Sequence, residues 1–240
     1  MRTIGLIGGM SWESSIEYYR LVNELVRERL GALHSAECVM YSVDFAEIEA
    51  MQSDGRWDDA ARRLAEVARR LEAAGAELLV LCTNTMHKVA TEVEQAVSLP
   101  LLHIGDTTAR AVRGAGVRRV GLLGTAFTME QAFYRDRLTS HGLEVVVPES
   151  EDREVVHRVI YDELCLGVVR EESRAAYQAV IGRLVDRGAE GVILGCTEVE
   201  LLIGQQHVTV PVFPTTRLHA EAAVAVALGQ GPSPTALPAP

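Results

Sequence analysis

The stretch RLEAAGAELLVLCT at residues 70–83 decides the fold class, because a close copy of it, RLVDRGAEGVILGCT, occupies residues 183–197. Each copy reads as the end of a helix, a glycine that terminates it, a short apolar strand, and a cysteine followed by a threonine. The second copy has one extra residue, Gly195, before its cysteine. Apolar strands that alternate with helices are typical of an α/β fold with mainly parallel sheets.

Two further pairs of segments match in the same order along the chain. Residues 4–8 (IGLIG) correspond to residues 120–124 (VGLLG), and residues 99–102 (LPLL) correspond to residues 210–213 (VPVF). Strand–glycine–loop signals recur by chemistry alone in α/β proteins, but three matches in one order favour an internal duplication. We therefore predict two similar α/β halves. The predicted boundaries are 1–100 plus 214–228 for the first domain, 101–213 for the second, and 229–240 for a disordered, proline-rich tail.

Local signals predict the helices that flank these strands. A helix is expected from residue 14 or 15, where a serine can cap it, to about residue 30. Its buried face is predicted to consist of Ile16, Tyr19, Val22 and Val26. Trp12 is assigned to the core or to the wall of a cleft. A last helix, from about residue 217 to 228, is expected to pack back on the first half.

The composition is that of an ordinary globular protein. Of 240 residues, 48% are hydrophobic and 23% are charged, which excludes a disordered chain, a fibre or a disulfide-stapled miniprotein. A net charge of −10 argues against a nucleic-acid partner, because an acidic surface repels phosphate backbones. No apolar run suits a membrane span, and residues 1–9 do not resemble a signal peptide. We expect a cytoplasmic protein without nucleic-acid or membrane partners, whose four cysteines stay reduced.

Cys82 and Cys196 occupy equivalent places in the repeat, each directly after a predicted buried strand. Ligands of open α/β sheets bind at the carboxyl ends of the strands. If a pseudo-two-fold axis relates the halves, the two cysteines face each other across the cleft between them. Two opposed thiols suit the inversion of a carbon centre, since a thiolate can remove a proton from one face while a thiol donates one to the other. A helix N-terminus after each cysteine is expected to lower its pKa and to hold a substrate carboxylate.

Polar residues beside the two cysteines suit a carboxylate or an amino group; they are Thr83, Asn84, Thr85 and Thr197. Gln52 is assigned to a loop after the second strand, from which it could reach the same cleft. Cys38 and Cys165 have no counterpart in the repeat and are interpreted as structural.

Other interpretations of the cysteine pair stay open. They could be buried structural residues, whereas a disulfide is disfavoured in the cytosol. A metal site built on Cys82 and His87 would need His103, His157 or His219 to converge on it. A pyridoxal phosphate enzyme needs a Schiff-base lysine, and Lys88, the only lysine in the chain, lies one turn into a predicted helix. We therefore expect neither a metal nor an organic cofactor.

Three motifs carry a family resemblance: residues 5–14 (GLIGGMSWES), 82–88 (CTNTMHK) and 195–198 (GCTE). They resemble the aspartate/glutamate racemase family, most closely its enterobacterial-type amino-acid racemase branch, and the similarity spans all but the proline-rich tail. The resemblance implies two Rossmann-like domains, usually in a homodimer, with the active site in the cleft between them. It also implies pyridoxal-phosphate-independent racemisation, with Cys82 and Cys196 as the acid/base pair. The residues implied to line the substrate site are Met10, Ser11, Gln52, Thr83, Asn84, Thr85 and Thr197.

The sequence departs from the aspartate-type pattern at two places. Those members typically carry an arginine in a Pro-Asp-Arg segment where this chain has residues 43–45 (VDF), and a lysine in the region that here reads ELCLG, residues 163–167. Losing two cations that pair with a side-chain carboxylate favours neutral or varied amino acids over aspartate alone. Two alternatives remain: an isomerase or decarboxylase of another small acid (maleate isomerase-like or hydantoin racemase-like), and a non-catalytic amino-acid-binding protein.

Overall fold

The computed structural model describes residues 1–230, and the chain divides into two units. The first unit comprises Met1–His103 and the described chain from His219 onward, and the second comprises Ile104–Leu218. The part of the predicted tail that follows Gln230 lies outside the described residues.

The first unit is built on a four-stranded, all-parallel sheet. Its strands are β1 (Ile4–Gly8), β2 (Cys38–Ser42), β3 (Leu78–Leu81) and β4 (Leu101–Leu102), in the spatial order β2-β1-β3-β4. Its helices are α1 (Trp12–Leu30), α2 (Phe45–Ser53), α3 (Trp57–Ala73) and α4 (Ala90–Gln95), with a 3₁₀ helix at Thr85–Val89.

The second unit repeats this order in an all-parallel sheet, β6-β5-β7-β8. The strands are β5 (Arg119–Gly124), β6 (Glu144–Val146), β7 (Gly191–Gly195) and β8 (Val212–Pro214). The helices are α5 (Ile104–Gly114), α6 (Ala126–Glu130), α7 (Ala132–Ser140), α8 (Ser150–Asp162), α9 (Glu171–Asp186), α10 (Val199–Leu202) and α11 (Thr215–Ala227), the last of which continues into the first unit. Two parallel sheets of the same strand order confirm the predicted α/β class and its repeated halves.

The central strands β1 and β3 are buried on both faces of the first sheet, which explains why they are apolar throughout, whereas the edge strand β2 is half-buried and ends in the exposed Ser42. Side chains alternate along β3: Leu79 and Leu81 join the core cluster that contains α3, whereas Leu78 and Val80 join the cluster that contains α1 and α11. The packing of α11 against this sheet confirms the prediction that the last helix returns to the first half.

One prediction about α1 is wrong and another is half right: the cap is a different serine, and of the predicted buried face only Val22 and Val26 are buried. The helix begins at Trp12, because Ser11 rather than Ser14 or Ser15 caps it by accepting the Ser14 N–H. Its buried face is the stripe Tyr18, Leu21, Val22, Leu25 and Val26. Ile16 and Tyr19 are more than half exposed, and so is Trp12, which is therefore not a core residue. The sequence carries two overlapping apolar stripes, and only one of them faces the sheet.

Asp44 starts a helix that the sequence patterns did not predict. Its side chain accepts the Ala46 N–H at 3.1 Å and caps α2, so Gln52 lies in a helix and not in a loop. None of the helices within residues 1–230 is long and apolar enough to cross a membrane.

Candidate active site

The loops that follow β1 and β3 meet at the carboxyl edge of the first sheet. The two strands are neighbours, and the Cys82 N–H donates to the Ile7 carbonyl at 2.9 Å. Gly9 has a φ of +91°, and a Cβ placed on it would lie 2.1 Å from the Val43 carbonyl oxygen. Only glycine allows this close approach, which fixes the loop that carries Met10 and Ser11.

Cys82 directly follows β3 and is a fully buried thiol. Its Sγ lies 3.6 Å from the Val80 carbonyl, and the side chain has no exposed surface. Burial raises its pKa, and the nearby Cys38 raises it further. The expected lowering of this pKa by a helix N-terminus is therefore wrong: the segment that follows is a 3₁₀ helix of five residues, and desolvation dominates.

Gln52 reaches the same edge from α2. Its Nε2 donates to the Met86 Sδ at 3.0 Å, and Met86 shares a core cluster with Met10. The Gln52 Oε1 is buried and has no hydrogen-bond partner among residues 1–230. A buried amide oxygen of this kind lowers the stability of the fold unless a ligand or a water molecule donates a hydrogen bond to it.

The remaining predicted residues of the first unit lie in the two loops. Ser11 is buried as the cap of α1, Asn84 and Thr85 are buried, and Thr83 is half-buried. The first unit thus gathers seven of the nine predicted site residues at one sheet edge: Met10, Ser11, Gln52, Cys82, Thr83, Asn84 and Thr85.

A cluster of histidines lies under this edge, in which His87 and His219 are buried and His103 is half-buried. The His87 Nδ1–H donates to the Thr83 carbonyl at 2.7 Å, and the His87 ring packs against those of His103 and His219 with centroids 4.6 and 5.8 Å away. The His219 Nε2–H donates to the Leu102 carbonyl at 2.7 Å, so its Nδ1 accepts the Tyr18 hydroxyl at 2.9 Å. Burial lowers the pKa of His219 to about 4 and that of His87 well below its usual value, so both rings are neutral at pH 7.

Cys196 directly follows β7 in the second unit, and its thiol contacts a carboxylate. Its Sγ–H donates to Glu198 Oε2 at 2.9 Å, and Cys196 and Glu198 are 9% and 4% exposed. Burial raises the pKa of Cys196 well above its usual value, and the negative charge of Glu198 adds to the effect. The expectation of a lowered pKa is wrong here as well, because α10 is a four-residue helix and the nearest strong charge is negative.

Hydroxyl groups surround the Cys196 loop. The Thr216 hydroxyl donates to Thr197 Oγ1 at 3.1 Å, and the Thr215 hydroxyl donates to the Leu194 carbonyl at 2.8 Å. Thr125 follows β5, the neighbour of β7, and caps α6 by accepting the Thr128 N–H. This edge therefore holds the last two predicted residues, Cys196 and Thr197.

The metal interpretation finds no support in the described part of the chain. No group of three or more His, Cys, Asp or Glu side chains there has an arrangement that could hold a metal ion. His103 and His219 do lie beside His87, whereas His157 belongs to the second unit and accepts the Ala126 N–H at 3.2 Å. The Lys88 Nζ lies 3.8 Å from the centre of the Trp57 ring, a cation–π contact.

Comparison with known proteins decides the family. The sequence profile of the Asp/Glu/hydantoin racemases matches residues 7–223. The chain belongs to this family. The match confirms the resemblance carried by the three motifs, and it places the chain among the racemase-type isomerases.

Solved structures and a curated relative agree with this assignment. A Yersinia pestis protein described provisionally as an Asp/Glu racemase is 55% identical, with a TM-score of 0.89 over 95% of this chain and 100% of that one. An aspartate racemase homologue from Pyrococcus horikoshii OT3 is 37% identical, with a TM-score of 0.84 over 95% and 100%. The broad specificity amino-acid racemase RacX of Bacillus subtilis (strain 168) is 23% identical over 94% of this chain and 98% of its own length.

Sequence reasoning missed several groups that the fold of this member of the racemase family places near the two sheet edges. Glu198 stands in the quoted GCTE motif, but only the fold shows that its side chain turns back onto the Cys196 thiol. The duplication could have indicated Thr125, which follows Gly124 as Gly9 follows Gly8. Nothing in the local sequence links Tyr18 with His219, which are 201 positions apart.

Proposed function

We propose that this protein is a pyridoxal-phosphate-independent amino-acid racemase in which Cys82 and Cys196 move the α-proton. The observation that carries the proposal is the duplicated Cys-Thr, which follows β3 in one sheet and β7, at the same place in the strand order, in the other. Two identical proton-transfer groups suit a reaction whose forward and reverse directions are mirror images.

Each turnover requires one thiolate and one thiol on opposite faces of the same α-carbon. The thiolate removes the α-proton, the other thiol donates its proton to the opposite face, and the two groups exchange roles for the reverse reaction. The α-proton of an amino acid is a very weak acid, so a base with a raised pKa is an advantage. Burial raises the pKa of both thiols and thereby increases the proton affinity of either thiolate once it forms.

We assign substrate binding to one apolar residue, Met10, and six polar residues near the two cysteines: Ser11, Gln52, Thr83, Asn84, Thr85 and Thr197. The buried Gln52 Oε1, which has no hydrogen-bond partner among residues 1–230, is suited to accept a hydrogen bond from a substrate ammonium or amide group. Gln52 and Met10 are uncharged, and the chain lacks the arginine and lysine expected of aspartate-type members. These features favour neutral or varied amino acids, in keeping with the name of the Bacillus subtilis relative.

The test is α-proton exchange in D₂O, followed by proton NMR, with chiral chromatography of the same samples. Reduced enzyme without pyridoxal phosphate is mixed with single L-amino acids: aspartate, glutamate, alanine, homoserine and arginine. We expect loss of the α-proton signal together with D-product, strongest for an uncharged side chain. Loss of CO₂ would identify a decarboxylase instead, and tight binding without exchange would identify a binding protein.

A further inference from the structure

The two thiols have different immediate partners. Cys196 donates to the carboxylate of Glu198 at 2.9 Å, and Glu198 is itself 4% exposed. Cys82 instead lies against the Val80 carbonyl, 3.6 Å from its Sγ, a longer contact to an uncharged group. The proton on Cys196 therefore has a buried acceptor 2.9 Å away that can itself carry a proton.

A thiolate beside a carboxylate would place two negative charges together in a buried site, which is strongly unfavourable. The pair is stable when it holds one proton. Either the Cys196 S–H donates to an ionised Glu198, or a protonated Glu198 donates its O–H to the Cys196 thiolate. Cys196 can then exist as a thiolate only while Glu198 keeps the proton.

Few other charges act on this sulfur within the second unit. Cys165, in the turn after α8, and Tyr177, on α9, are the titratable groups that interact with it besides Glu198. The Tyr177 hydroxyl donates to the Val156 carbonyl at 2.8 Å. The carboxylate of Glu198 is thus the dominant charged partner of Cys196 in the described chain.

We infer that Glu198 is a positioning residue that shares one proton with Cys196 and thereby sets when Cys196 is a thiol and when it is a thiolate. The inference rests on the proposed function only in treating Cys196 as one of the two bases. During turnover the pair then alternates between one proton and two. As acceptor, the Cys196 thiolate takes up the α-proton while Glu198 keeps its own proton; as donor, Cys196 gives its Sγ proton to the α-carbon, again while Glu198 keeps its own, so the two groups are never both negative.

The test measures the alkylation of Cys196 by iodoacetamide between pH 6 and 10, with peptide mass spectrometry to separate the four cysteines. Only the thiolate reacts, so the rate reports its population. Glu198→Gln keeps the shape and removes the charge and the proton acceptor. We expect its profile to move to lower pH by at least one unit, and its rate at pH 7 to rise about tenfold or more. Glu200→Gln is the matched control, because Glu200 lies two residues away and accepts the Thr216 N–H, and its profile should match wild type.

An unchanged profile in Glu198→Gln, or an equal shift in Glu200→Gln, would overturn the inference. Should Glu198→Gln fail to fold, Glu198→Ala removes the same charge and decides the question by the same shift. No substrate is present in this experiment. Its outcome is therefore independent of whether the protein racemises amino acids. If the protein had no racemase activity, the experiment would still show whether Glu198 controls the thiolate population of Cys196.

Discussion

At the scale of single residues, burial is the main influence on the pKa values of the two candidate catalytic thiols. The thiols of Cys82 and Cys196 sit at 0% and 9% exposure and carry raised pKa values. The sequence could place them after equivalent strands, because each follows an apolar run with the same flanking residues. It could not give the sign of their pKa shifts, since that depends on how deeply the fold buries the sulfur and on which charge it meets. Glu198 is an example: it raises the pKa of Cys196 only because the turn after β7 brings its carboxylate back to the thiol.

The raised pKa values predict that activity increases with pH across the neutral range. A thiol with a raised pKa is mostly protonated at pH 7, so the active thiolate fraction grows about tenfold per pH unit below that pKa. We expect kcat/KM to rise close to tenfold per unit between pH 6.5 and 8.5. Initial rates with a neutral amino acid in a constant-ionic-strength buffer measure this. A flat profile over the same range would mean that the thiolate is already formed at neutral pH.

At the scale of elements, the central strands were predicted well, whereas the edge strand β6 was missed and helix faces were predicted less well. The strands β1, β3 and β7 are short, buried apolar runs, a signal that does not depend on tertiary contacts. The buried face of α1 does depend on them, because Tyr18 is selected by its partner His219 on α11, whereas Tyr19 next to it is left exposed. Local sequence cannot distinguish two adjacent apolar stripes.

The β1–α1 turn depends on a glycine that the fold cannot replace. In Gly9→Ala the new Cβ would meet the Val43 carbonyl at 2.1 Å in a backbone with positive φ. We expect a loss of at least about 2 kcal/mol in the free energy of unfolding, together with loss of activity, measured by urea unfolding and kinetics. Gly167→Ala is the matched control, because Gly167 lies in the left-handed α region (φ 71°, ψ 14°), which alanine can adopt, and a methyl group added there would have no atom within 4 Å. Its cost in the free energy of unfolding should be about 1 kcal/mol, and equal costs in the two variants would contradict the steric account.

At the scale of the whole molecule, the duplication explains most of what could be predicted. Two copies of one motif order predict two sheets of one topology, and the strand orders β2-β1-β3-β4 and β6-β5-β7-β8 agree. The α2 helix was missed because its signal is a single capping aspartate after a strand. The homodimer implied by the resemblance stays a prediction, which analytical ultracentrifugation would test.

Buried neutral histidines predict that the protein loses stability in acid. Burial lowers the pKa of His219 from 6.5 to about 4, so between these values the unfolded chain binds a proton that the folded chain does not. The free energy of unfolding should fall by about 3 kcal/mol through His219 as the pH decreases from 6.5 to 4, and the stabilisation is complete above pH 6.5. Urea unfolding at several pH values measures the slope.

A variant pair separates His219 from the carboxylates that also titrate in this range. The amide of His219→Gln can donate to the Leu102 carbonyl and accept from Tyr18, but it does not titrate. Its pH slope should be shallower than that of wild type. His34→Gln, at an exposed position, should keep the wild-type slope. Equal slopes in all three proteins would show that His219 does not contribute to the loss of stability in acid.

The most direct test of the two-base claim is the D₂O exchange assay applied to single cysteine variants. Cys82→Ser and Cys196→Ser keep the size of each side chain but remove its ability to form a base near neutral pH. We predict that each lowers the rate of D-product formation by at least about 1,000-fold, an order-of-magnitude figure for losing one positioned acid or base, while Cys38→Ser stays near wild type. Normal racemisation by either Cys82→Ser or Cys196→Ser would contradict the account.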